Sequence, residues 1–122
     1  MANKKEIIMF NISVRQLFAD WLKESTSKER IEIRAALKVL EQDGPNLGRP
    51  NVDTVHDSKH RNMKELRVQV GGRPIRIFFA FDPTRTGIIL CGGYKDGSGD
   101  KQFYKKYIKI ADKEYSDHLK GD

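Results

Sequence analysis

The stretch KELRVQVGGRPIRIFFAFD, Lys64 to Asp82, decides the fold. In KELRVQV, Leu66, Val68 and Val70 alternate with Glu65, Arg67 and Gln69, the two-residue period of a β-strand with one apolar side. GGR turns the chain. In PIRIFFAFD, Ile75, Ile77, Phe79 and Phe81 then alternate with Arg76, Phe78 and Ala80. The two runs predict a paired hairpin whose apolar side faces the core. Arg67 and Arg76 stand where Thr or Ser would serve an ordinary sheet. Their phase sets them opposite the apolar residues, so both are expected to project together from an uncovered face rather than lie buried.

The neighbouring segments extend this sheet. DPTRTG predicts a second turn, with Pro83 pre-setting its backbone angle, and IILCGGY a third strand. The pairs Gly71-Gly72 and Gly92-Gly93 read as turn and strand-bulge devices. Upstream, EIIMFN has the pattern of a short strand. Ser13 with Gln16 three residues on forms a capping-box signature, and Val14, Leu17, Phe18, Trp21 and Leu22 follow at helical spacing. STSKERIEIRAALKVLEQDGP repeats the grammar: Thr26 caps with Glu29, Ile33, Ala36, Leu37 and Leu40 make the apolar stripe, and Gly44-Pro45 stops it. Joined by EST, the two segments predict a helical hairpin. Asn46 to Asn62 is a polar connection long enough to be a functional loop. At the other end Tyr104, Tyr107, Ile108, Ala111 and Tyr115 space out a last helix. The expected order is β-α-α-β-β-β-α, a single α+β domain over residues 1–122 with helices on one face of an antiparallel sheet.

Composition narrows the partners. The chain has 122 residues, 23 Lys plus Arg against 17 Asp plus Glu, and a net charge of +6, which favours an acidic partner such as nucleic acid, phosphate or an acidic protein segment. Its one cysteine, Cys91, excludes an internal disulfide and, within the apolar run GIILCGG, reads as a buried structural thiol. Apolar runs fall short of a membrane span, and the start MANKKEIIMF lacks a signal-peptide pattern, so a cytoplasmic location is expected. His56, His60 and His118 lack metal-motif spacing, and no Walker loop, dinucleotide fingerprint or nucleophile elbow occurs. Neither metal nor cofactor is expected.

Between Arg49 and Arg76 seven Lys/Arg stand against three Asp/Glu, with His56 and His60 among them. Pairing the two strands brings Arg67 and Arg76 within reach of one polyanion, with Arg73 at the turn. Guanidinium forks suit phosphate oxygens. A solvated sheet face with cross-strand ion pairs, Glu65 with an arginine, explains the same pattern. A phosphate-cleaving site needs an anion stabiliser, a base and an acid. Glu65 is a candidate base on the face of Arg67. Tyr94, Lys95 and Tyr104 are candidate acids or positioning groups, and His60 a proton-transfer residue.

The segments LGRPNVDTVHDSKHRNMKELRV, IRIFFAFDP and GGYKDG followed by FYKKYIKIADKEYSDHL resemble the HigB-like, phage-derived branch of the RelE/ParE toxin superfamily, over about Leu47 to Leu119. The resemblance implies a RelE-like fold and the toxin of a type II toxin–antitoxin system. It also implies a metal-independent endoribonuclease that cleaves mRNA on the ribosome. Carried over by position, it places Arg67 among the RNA-contacting residues, Arg76 near the scissile phosphate, Lys95 at the last strand's basic or polar catalytic position and Tyr104 near RelE's tyrosine. With Glu65 from the reading of the residues, these are the catalytic candidates. Arg73, His60, Lys64, Arg61 and Tyr94 are the RNA-contacting candidates. RelE itself carries a lysine where this chain has Glu65, and a carboxylate there suits a general base. The implied partners are a cognate antitoxin, a HigA-like helix-turn-helix protein, together with the ribosome and mRNA. ParE-like members share the fold but poison DNA gyrase, so a non-nuclease toxin or an inactive relative is the alternative.

Overall fold

The structure, a computed structural model, describes residues 9–97 and 99–122. A five-stranded sheet runs in the order β1-β5-β4-β3-β2. Its strands are β1 (Ile12–Val14), β2 (Val52–Thr54), β3 (Lys64–Val70), β4 (Arg73–Phe81) and β5 (Gly87–Tyr94), with helices α1 (Gln16–Lys23), α2 (Ser27–Asp43) and α3 (Asp100–Leu119). The central hairpin matches its sequence reading. Gly71 and Gly72, at φ of 57° and 80°, close β3 onto β4 through a two-residue turn that only residues tolerant of positive φ enter easily. The α2 capping box also forms: Glu29 N–H donates to Thr26 Oγ1, and Thr26 N–H donates to Glu29 Oε1.

The expected α+β class holds, with four differences of detail. Ser13 does not cap a helix; it lies in β1 opposite Ile88, and the helix starts at Gln16 after an Arg15 N-cap whose side chain caps nothing and pairs instead with Glu114 of α3. The edge of β5 takes that backbone instead, Arg15 N–H donating to Ile89 O. Consequently β1 pairs parallel to β5, while the other three strand pairs are antiparallel. The strand expected in EIIMFN reaches into residues 1–8, outside the described residues; Met9 to Asn11 are not in a strand. Third, the polar connection holds a strand of its own, β2, which extends the sheet beyond β3.

The fourth difference bears on function. Helices do not share one face. Phe18, Ile33 and Leu40 of the hairpin pack with Leu66, Val68, Ile75, Ile77 and Phe79 on one side of the sheet. On the other side, Phe103, Ile108, Ala111 and Tyr115 of α3 pack with Phe78, Ala80, Ile88 and Leu90. From Phe78 onward β4 is apolar on both faces, as a strand covered on both sides must be. The register shift beside Phe78 and Phe79, where they pair with Cys91 and Ile89, leaves Leu90 as the extra residue of β5. The bulge is therefore at Leu90, not at Gly92-Gly93. Those two glycines admit neighbours: a Cβ on Gly92 would stand 2.7 Å from the Trp21 ring, and one on Gly93 2.4 Å from the Tyr107 ring.

Candidate active site

Because α3 covers much of the second face, the polar residues of β3 and β4 there meet its first turns instead of open solvent. Arg67 and Arg76 are direct cross-strand partners, and Glu65 pairs with Phe78 one step along the same face. Two like charges placed opposite each other repel. Glu65 resolves the conflict. Its Oε1 accepts a hydrogen bond from Arg67 Nε at 3.3 Å and lies 3.4 Å from Arg76 Nε. The Tyr104 hydroxyl, brought down from α3, donates to the same oxygen at 2.8 Å.

Glu65 is only 3% exposed. A carboxylate so buried requires compensation by charge and hydrogen bonds, and two guanidiniums and a phenol supply it. Arg67 also reaches Asp53 of β2 at 3.2 Å, and Asp53 is held by Arg49 at 2.9 Å. Arg76 lies deeper: it donates from Nη1 to Ile75 O, while its buried Nε lacks a hydrogen-bond partner. Burial and the adjoining Glu65 carboxylate push the Tyr104 phenol up to about 12, so it keeps its proton at neutral pH. Lys95 borders this group, with Nζ 5.4 Å from the Tyr104 ring centre and 3.3 Å from Asp100. Glu65, Arg67 and Tyr104 line a cleft of about 760 Å³ between β2, its following loop and α3. Among the described residues no group of three or more His, Cys, Asp or Glu converges as a metal site.

The five residues expected to be catalytic thus cluster; those expected to contact RNA scatter. Arg73 and Tyr94 lie with the helical hairpin, on the far side of the sheet from Glu65. Arg73 stacks 3.6 Å above the Tyr94 ring and pairs with Asp96 at 2.6 Å, and the Tyr94 hydroxyl donates to Glu29 at 3.0 Å. Lys64 donates to Thr54 Oγ1, and its alternation phase is that of Leu66. His60 lies 3.0 Å from Ser116 Oγ and packs edge-on against Tyr115, while Arg61 is exposed on the adjoining turn. Strand parity explains the scatter: Lys64, Arg73 and Tyr94 are out of phase with Arg67 and Arg76. Sequence reading missed Asp53, which needed β2 to bring it beside Arg67. Cys91 is the expected buried thiol, and burial raises its pKa to about 12.

A sheet covered on both sides, with a carboxylate, two arginines and a tyrosine gathered under the last helix, makes this an α+β protein with a polar cluster beside a cleft. The model of the phage-derived Gp49-like proteins (DUF891) matches residues 20–116, and the chain belongs to that family. It is 52% identical over 86 residues to a Mycobacterium tuberculosis protein named as the toxin HigB2, the match covering 70% of this chain and 42% of that one. With a second protein of that organism, named as the toxin HigB3, it shares 48% identity over 90 residues, 74% of this chain and 76% of that one. The chain thus spans less than half the length of HigB2. Among solved structures, a double arginine-to-alanine mutant of the Escherichia coli toxin RelE in the free state superposes with a TM-score of 0.57. The identity is 10%, and 83% of this chain and 96% of that one are covered, a likeness of fold alone. No helix among the described residues is long and apolar enough to cross a membrane.

Proposed function

We propose that the chain is the toxin of a type II toxin–antitoxin system and acts as a ribosome-dependent mRNA endoribonuclease. The observation that carries the reading is the buried Glu65 carboxylate joined at one oxygen to Tyr104, Arg67 and Arg76 at the edge of an open cleft. A gathering of two like-charged arginines is costly for a sheet to keep without use. Relatives named as HigB toxins support the toxin part of this reading.

In this mechanism the 2′-hydroxyl beside the scissile phosphate attacks in line. Its proton passes to the Tyr104 oxygen as the Tyr104 proton moves to Glu65 Oε1. Glu65 thus acts as a base through the phenol and need not reach the substrate, which suits its burial. Arg67 meets the phosphate oxygens from the cleft wall, and Arg76, 14% exposed, adds its charge from one layer deeper. We assign Lys95 to protonate the leaving 5′-oxygen. The ribosome supplies the alignment of message and site, and oriented intramolecular attack can contribute about 7–11 kcal/mol. The partner in the cell is a cognate antitoxin, a HigA-like helix-turn-helix protein, and the work is done in the cytoplasm.

The test is cleavage of message on purified ribosomes carrying a defined codon in the A site. Tyr104→Phe and Glu65→Gln are each expected to slow cleavage by about 10²–10⁴-fold, the range of one positioned proton-transfer group. The double variant should be little slower than either, since both interrupt one relay. Losses that multiply would break the relay, and inhibition of DNA gyrase without cleavage would establish the other mode of toxicity.

A further inference from the structure

One wall of the cleft carries a feature that the catalytic cluster leaves unused. Lys101, Lys105 and Lys109 of α3 all line it. Spaced four residues apart, they fall on one stripe, each about 6 Å further along the helix axis, and begin beside Tyr104. All three are exposed. The cleft also holds acids, so the sign of its field depends on which charges are already paired. Glu65 is held by Tyr104 and Arg67, Asp53 by Arg49 and Arg67, and Asp100 by Lys95. Asp112 accepts only from neutral donors, the Ser58 hydroxyl and the Lys59 amide, and so keeps its negative charge. Lys101, Lys105 and Lys109 form no salt bridge among the described residues. Among the described residues neither Asp57 nor Asp112 forms a salt bridge, so two uncompensated acids of the cleft stand against the three lysines.

We propose that Lys101, Lys105 and Lys109 form a phosphate track that holds the single-stranded RNA running away from the catalytic cluster. The lysines follow one another at a step comparable to successive phosphates of an extended strand. Each is a mobile point charge that can meet a backbone oxygen without reading a base, so the track positions the strand and does not select its sequence. It takes the place of Arg73, Lys64 and Tyr94, which strand parity removes from this face. The inference deepens the nuclease reading and rests on it for the identity of the polyanion.

The experiment measures binding of the intact chain to a fully 2′-O-methylated oligouridylate, which cannot be cleaved, across a range of salt concentrations. Each phosphate contact on a single strand contributes about −0.7 to the slope of log Kobs against log salt, so replacing all three lysines by alanine should flatten it by about 2. An equally discharged control, K23A with K28A and K38A on the helical hairpin, should keep the wild-type slope. An unchanged slope in the cleft variant, or equal flattening in both, overturns the track. The first result leaves these lysines to an acidic protein segment. Alanine favours helix, so α3 is expected to persist in the variant, and circular dichroism verifies it. Ribosomal cleavage is read separately: track-dependent binding by a wild-type chain that cleaves nothing removes the nuclease reading and keeps the track.

Discussion

Replacing Glu65 by Gln preserves the shape of the side chain and an oxygen for Tyr104 while deleting the charge that holds Arg67 and Arg76 together. Arg67 keeps a second carboxylate, Asp53, and is about one-third exposed, so solvent and that neighbour absorb much of its loss. Arg76 has neither recourse. Its side chain is 14% exposed, its Nε lacks a hydrogen-bond partner, and Glu65 is its only ion-pair partner among the described residues. Stranding a buried charge in this way costs about 3–5 kcal/mol, and partial exposure of the group argues for the lower end, near 3 kcal/mol. In urea, with a slope of about 1.5 kcal/mol/M, the unfolding midpoint should fall by about 2 M at unchanged slope. Adding Arg76→Met removes the stranded cation and should restore at least half the loss. A Glu65→Gln chain within about 0.5 kcal/mol of wild type, the range of an ordinary surface change, would refute the claim that this carboxylate holds the arginines.

Three other outcomes follow from the same contacts. Ile77 is fully buried beside Arg76, so Ile77→Ala should lower stability by about 2–5 kcal/mol, whereas Arg76→Ala should abolish cleavage in a chain that still folds; retained cleavage takes Arg76 off the list. Burial raises the Asp82 carboxyl, but hydrogen bonds from Thr84 and His118 and from the Thr86 and Thr84 amides outweigh it and bring it down to about 2. The folded value lies below the ordinary 3.8, so this stabilisation is present above about pH 4 and is lost as pH falls towards 2. Asp82→Asn should therefore flatten that part of the acid-unfolding curve, and an unaltered acid limb would contradict the assignment. Finally, exchanging magnesium for another cation that supports ribosomes should leave cleavage intact, since arginines carry the proposed charge stabilisation; a requirement for one metal at the site would reverse that mechanism.

The central hairpin was legible because its alternation is strict and Gly71-Gly72 names its own turn. The α2 cap was equally plain in Thr26 and Glu29. Ser13 misled because a capping signature is local, whereas the pairing of Ser13 with Ile88 depends on a strand more than seventy residues away. The two-sided sheet was also written in the chain: Phe78 and Ala80 give β4 a second apolar face, and the Phe103, Ile108 and Tyr115 side of α3 needs one to cover. Treating that face as open left Arg67 and Arg76 correctly in phase but gave the wrong surroundings. Glu65 is buried for that reason. Arg73 and Tyr94 were grouped with the site by nearness in sequence, and parity separates them. Asp53 and the α3 lysines depend on β2 and on the docking of α3, neither of which a local pattern specifies.

Cleavage ends on messages after induction of the chain without antitoxin test the central claim most directly. The account predicts growth arrest with new 5′ ends inside translated regions, in register with the reading frame, for the wild-type chain. Folded Arg67→Ala and Tyr104→Phe chains at equal abundance should give far fewer such ends. Growth arrest without cleavage, or ends that fall equally in untranslated RNA and survive Tyr104→Phe, would contradict it.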